Sequence, residues 1–177
     1  MGLDMYLKKT KRVKGLLTTD YETISNMIPW EPNLDESKKI LLDCDIEGSE
    51  QLVETLFVKR QAFQYVTLFQ EVFYWRKANH IHSWFVENCQ DGIDECQLSE
   101  VTKEQLETLV ESCKKVVSAK NTKTRKEVLP TAGGFFFGGT DYDEYYYEIC
   151  QEIINQFETI IENINFDEEI VFYQSSW

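Results

Sequence analysis

The stretch LFVKRQAFQYVTLFQEVFYWRKANHIHSWFVENCQDG, residues 56–92, decides the fold class. Its first half, through Tyr74, is rich in Phe, Val, Tyr and Thr in partial alternation, the pattern of one or two antiparallel strands broken near Lys59–Gln61. From about Trp75 to Asn88 the spacing becomes helical, with Ala78, Ile81 and Phe85 on one stripe that should face a core. Gly92, in the sequence QDG, supplies the stop.

Towards the N-terminus, LDMYLKK (3–9) alternates enough for a short strand, and KKTKRVKG (8–15) is a basic, polar hairpin arm or loop. Residues 19–37 contain Pro29 and Pro32 and are expected to be an irregular connection, whereas DESKKILLDC (35–44) suits a short helix. Towards the C-terminus, Thr102 and Gln105 form a capping box ahead of Leu106, Leu109, Val110, Cys113 and Val117 in helical period. SAKNTKTRKE (118–127) is expected to be a polar basic loop, and LPTAGGFFFGG (129–139) a Gly-flanked aromatic strand or turn.

The longest helix is expected after Thr140, capped by Thr140 and Asp143. Tyr142, Tyr146, Ile149, Ile153, Phe157, Ile160 and Ile164 then step along one face. EIVFYQSSW (169–177) is a final strand. Together these elements predict one α+β domain over residues 1–177, a small antiparallel sheet packed against about three helices.

Composition narrows the class. With 42% hydrophobic and 14% aromatic residues the chain is not of the disordered type. No run approaches the ~18 apolar residues of a membrane helix, and the N-terminus has neither a signal-type apolar region nor the Ser or Thr at position 6 that myristoylation favours. Five cysteines without a CxxC pair suit reduced thiols, and a cytoplasmic location is expected. The net charge of −13 is unevenly spread: no Lys or Arg follows Lys126, so residues 1–126 carry only −2. Such a field disfavours duplex nucleic acid and favours cations or a basic protein surface, although a solvated acidic helix gives the same pattern. Homo-oligomerisation is left open.

Two segments concentrate the chemistry, YWRKANHIHSWF (74–85) and GGFFFGGTDYDEYYY (133–147). On one continuous helix Trp75, Asn79 and His82 would share a stripe, with Arg76 and Lys77 beside it. There an indole could stack a ring, an amide could read a polar edge and a guanidinium could clamp an anion. An ordinary amphipathic helix explains the same residues. His80 and His82 are two positions apart, so on a helix their rings diverge by about 200° and share no metal ion. In the second segment Asp141, Asp143 and Glu144 cap the following helix and would repel a phosphate. That leaves Gly138 and Gly139 to permit a close approach by a ligand ring, with Phe136 and the hydroxyls and faces of Tyr142, Tyr145, Tyr146 and Tyr147 nearby. No P-loop, GxSxG, HExxH or Rossmann fingerprint occurs, so no cofactor and no metal is expected.

MGLDMYL at the start, EVFYWRKANHIHSWFVENCQDG in the centre and LPTAGGFFFGGTDYDEYYYE near the end resemble a family of small proteins encoded by bacteriophages and prophages. The resemblance covers about a third of the chain and brings no activity with it. It implies a phage accessory protein made in the bacterial cytoplasm. The expected function is sequestration of a small nucleotide-like ligand, a host immune signal, by Trp75, Arg76, Lys77, Asn79, His82, Phe136, Tyr142 and Tyr145. An inhibitor whose acidic Glu144–Glu148–Glu152 face mimics nucleic acid or docks a basic host protein is the alternative. An enzyme acting on a nucleotide, with His82 or a tyrosine as acid–base group, is the third.

Overall fold

In the computed structural model, which describes residues 2–29, 33–60, 64–134 and 136–177, the first and last strands lie side by side at the centre of one sheet. Strand β1 (Asp4–Lys11) pairs antiparallel with β6 (Glu169–Ser176) from Asp4↔Ser176 to Lys11↔Glu169. On its other side β1 pairs with β4 (Gln70–Arg76), and β5 (Ser99–Glu100) completes the order β4-β1-β6-β5. A separate hairpin joins β2 (Phe57–Arg60) to β3 (Gln64–Thr67). The region read as one or two strands therefore holds three, and positions 61–63 of the expected break lie outside the described residues.

Alternation sends the two faces of the sheet to different cores. Leu3, Met5 and Leu7 join Trp75, Val171 and Tyr173 beneath α3 (Asn79–Cys89), α4 (Lys103–Ser118) and α6 (Glu144–Asn163). Ile170 and Phe172 point the other way, towards Tyr21 and Ile24 of α1 (Thr18–Met27), Leu41 of α2 (Leu34–Asp43) and Leu52 of the 3-10 turn Ser49–Thr55. The α+β class is as expected. The count of about three helices matches one face only, since six α-helices occur among the described residues.

Local signals explain most of these elements. The Thr102–Gln105 box forms reciprocally, with Gln105 N donating to Thr102 Oγ1 (3.2 Å) and Thr102 N to Gln105 Oε1 (2.8 Å). On α6 the cap is Asp143 alone, whose carboxylate accepts from Tyr146 N (3.1 Å), while Tyr146, Ile149, Ile153 and Phe157 are buried in a row. Among the described residues no helix is long and apolar enough to cross a membrane.

Several expectations need correction. Helix α1 occupies part of the stretch read as irregular and ends at Met27, because a residue preceding a proline, here Ile28 before Pro29, disfavours the α region. The basic segment 118–127 contains α5 (Thr122–Val128), capped by Asn121 and held by Arg125 over the Tyr147 ring at 4.6 Å. Residues 8–11 of the expected loop belong to β1. Segment 129–139 forms no strand among its described residues, and Phe135 lies outside them.

Candidate functional site

Strand β4 runs on through Trp75 and Arg76, because pairing with Met5 and Asp4 carries it there, and α3 starts only at Asn79. Trp75 and Asn79 consequently sit on different elements, and the expected Trp75–Asn79–His82 stripe does not exist. Trp75 is 4% exposed and packs among Phe73, Phe85, Phe157 and Tyr173 at centroid distances of 5.1 to 6.2 Å. It is core and could stack a ligand only if the core opened. Ala78, Ile81 and Phe85 are core as expected.

The two motif segments do meet, and their meeting point is Asn79, 1% exposed. Its Nδ2 donates to Gly139 O (2.7 Å) and Phe137 O (3.3 Å), and its Oδ1 accepts from Ala132 N (3.0 Å). One buried amide thereby holds both ends of the 132–139 loop against α3. Gly138 completes the clasp. Its φ is +95°, and an added Cβ would stand 2.7 Å from Lys77 O, so this approach excludes a side chain. Tyr145 donates to Arg76 O (2.7 Å), and the Tyr142 hydroxyl accepts from Thr131 N (3.2 Å). Arg76 itself pairs with Asp4 (2.6 Å), and Phe136 and Lys77, both at positive φ, are exposed. The chain's own groups saturate most of what was expected to read a ligand.

His82, 2% exposed, is the centre of a buried relay. Its Nε2 lies 2.9 Å from Asp94 Oδ2 and its Nδ1 2.7 Å from the Tyr173 hydroxyl. A carboxylate only accepts, so Nε2 donates to Asp94, and Nδ1 shares the second hydrogen bond with the Tyr173 hydroxyl. Trp177 Nε1 donates to the second Asp94 oxygen (3.1 Å). His80 points elsewhere, its Nε2 3.7 Å from Cys150 Sγ and its ring 4.3 Å from that of Tyr146. Cys113 and His80 stabilise the Cys150 thiolate against burial and lower its pKa, while the bond to Cys150 and burial push the Cys113 thiol up. Both thiols are fully buried, which closes this cluster to solutes. The two histidines serve different networks, and among the described residues no cluster fit for a metal ion occurs.

An open cleft lies on the opposite face of the sheet. Its volume is about 580 Å³, within the usual ~300–1,000 Å³ range of small-molecule sites. Tyr6 and Lys8 of β1, Glu71 and Tyr74 of β4 and Gln174 of β6 form the floor. Lys59, Tyr65 and Thr67 of the hairpin form one wall, and Glu22, Ser25 and Asn26 of α1, spaced by three and one, form another. A β-bulge builds the floor. The register passes from Leu7↔Phe73 to Lys8↔Glu71, skipping Val72, so Glu71 and Tyr74 share the cleft face while Val72 packs with the helical core.

Lys8 dominates the electrostatics of this cleft. Burial lowers its ammonium to about 8 despite the attraction of Glu71. Its Nζ donates to Gln174 Oε1 (2.7 Å) and lies 5.1 and 5.9 Å from the ring centres of Tyr6 and Phe69. Glu71, opposite it in register, pairs with Lys59 instead (2.7 Å). Burial disfavours the Lys59 ammonium too, but its hydrogen bond and charge contact with Glu71 hold it above its ordinary value. The Tyr74 hydroxyl donates to Asp4, and burial together with that bond raises it to about 12, so it stays a donor. The strand expected over 3–9 covers Tyr6 and Lys8, which lie two apart and so share a face, although Lys8 also fell in the expected basic hairpin arm or loop. The partners more than sixty residues away and the bulge left no local trace.

The chain matches no family model, and no curated protein or solved structure is detectably similar to it.

Proposed function

We propose that the protein is a non-enzymatic binder of a small, ring-bearing anion of the nucleotide class, taken up in the cleft between the sheet and the β2–β3 hairpin. Lys8 carries this reading: an ammonium on the cleft floor, with Tyr6, Tyr65 and Tyr74 around the same space and no carboxylate partner of its own among the described residues. A desolvated cation without a counter-ion is unfavourable, and a ligand phosphate or carboxylate would supply one. The tyrosines offer stacking faces, and Glu22, Ser25 and Asn26 offer polar partners for a base or sugar edge. Glu71 takes up Lys59, so Lys8 alone is left to meet one anionic group, and a polyphosphate would be met by too few cations among the described residues. Given the resemblance to phage proteins, sequestration of a host immune signal is the role that fits, since it needs affinity and no turnover.

The test is retention and release. Protein incubated with a bacterial nucleotide extract, washed and heat-denatured should release a bound nucleotide. At ~100 times its Kd that nucleotide should stabilise the fold by about 2.7 kcal/mol, readable as a thermal shift. Lys8→Met should weaken binding at least tenfold. If nothing is released and a nucleotide panel leaves the melting temperature unchanged, the proposal fails.

Exposure of Glu144, Glu148 and Glu152, none of them in an ion pair among the described residues, supports a second reading, docking of a basic host protein on α6. That binding should weaken steeply with salt and be lost on charge reversal of α6, with Lys8→Met harmless.

A further inference from the structure

We infer that Lys8 is a nucleophilic amine, and that the cleft captures aldehyde- or ketone-bearing small molecules on it as a reversible imine. The inference uses the cleft of the proposed function but rests on the amine, not on anion binding.

Imine formation needs an unprotonated amine, room for a carbonyl compound beside it, and groups to move protons. The cavity of about 580 Å³ gives the room. The amine is held in place: β1 is a central strand, and Gln174 Oε1 fixes Nζ at 2.7 Å between the Tyr6 and Phe69 rings. Glu71 is the neighbour that could hold Lys8 as an ammonium, and it is bound to Lys59. Among the described residues the other titratable groups facing the cleft are Tyr6 on the same strand, Tyr74 on β4, Tyr65 on the hairpin and Glu22 on α1. Lys59 is the second amine of the cleft among the described residues, and its bond to Glu71 holds it as an ammonium. Burial lowers the ammonium to about 8, which gives Lys8 a larger share of the neutral, reactive form at neutral pH than an ordinary lysine has.

The step balances without an oxidant. The Lys8 nitrogen lone pair attacks the carbonyl carbon, the carbonyl oxygen takes up a proton, and the nitrogen gives one up, forming a carbinolamine. Its hydroxyl then leaves as water after protonation, and the C=N bond forms. Water entering the open cleft, and Glu22 as a lining carboxylate outside any ion pair among the described residues, carry those protons.

The experiment exposes the full-length protein to pyridoxal, an aromatic aldehyde without an anionic group. Borohydride then fixes any imine, and site-resolved peptide mass spectrometry gives the rate at each lysine. Lys8 should be labelled at least tenfold faster than Lys59 in the same cleft or the exposed Lys103, with its rate rising through a midpoint near pH 8. Lys8→Arg should abolish the fast label with the far-ultraviolet circular dichroism unchanged. Labelling of Lys8 no faster than Lys103 in the wild-type protein, a comparison that needs no variant, overturns the inference. Fast labelling that nucleotides fail to suppress supports it and counts against the nucleotide-binding reading alone.

Discussion

Replacing Asn79 with alanine removes the clasp that joins the two motif segments, and its cost follows from the bonds it makes. Three hydrogen bonds are lost, to Gly139 O, Phe137 O and from Ala132 N. Each contributes a net ~0.5–1.5 kcal/mol, and water can reach part of the opened loop, so a loss of about 2–4 kcal/mol is expected. For a chain of this length that corresponds to a drop of roughly 5–12 °C in Tm. Urea denaturation should show a lower midpoint with an unchanged slope, because the unfolded chain exposes the same surface. Asn79→Asp should be at least as damaging: aspartate can still accept from Ala132 N but sets a carboxylate against two carbonyl oxygens. Proteolysis between residues 130 and 140 should accelerate in both variants. A variant with wild-type stability and a lost ligand would refute this reasoning and restore Asn79 to a binding role.

Three further perturbations are expected to act as follows. Gly138→Ala forces a side chain into a positive-φ position and against Lys77 O, and should cost about 1–3 kcal/mol by thermal denaturation; a neutral effect would mean the loop relaxes freely. Lys8→Met should be stabilising at pH 7 by on the order of 1–2 kcal/mol. The folded pKa of about 8 lies below the ordinary 10.5, so the unfolded chain binds more protons between those values and wild-type stability rises with pH across that window. The advantage of the variant should therefore shrink from pH 8 to pH 10.5, and a pH-independent gain would contradict the burial of the ammonium. Tyr173→Phe strands His82 Nδ1 in the core and should cost about 1–3 kcal/mol. A double-mutant cycle with Asp94→Asn should show coupling, and strict additivity would dissolve the relay.

Much of the fold was legible because it rests on local periodicity. Helices α4 and α6 could be read from their apolar stripes and caps, β1 from alternation and β6 from a short, β-branched and aromatic apolar run. Short helices were harder. Only Tyr21 and Ile24 of α1 are buried, too few to set a period, and α5 buries none and depends on Asn121 and the Arg125–Tyr147 contact. Trp75 was misplaced because β4 is extended by its partner strand, and no residue near Trp75 encodes that partner.

The candidate site divides in the same way. From residues 74–85 and 133–147 it followed that two aromatic, polar segments matter, and they do pack together around Asn79. What they build is a clasp, because hydrogen-bonding groups that could read a ligand satisfy each other first once buried. Tyr6 lay in the stretch 3–9 expected as a strand, whereas Lys8 also fell in the basic segment 8–15 expected as a hairpin arm or loop. Tertiary structure alone decided that their shared face opens into a cleft, that the bulge at Val72 turns Glu71 towards it, and that Lys59 draws Glu71 away from Lys8. Strand register and the pairing of charges across a cleft depend on residues far apart in the chain, and local spacing carries no record of them.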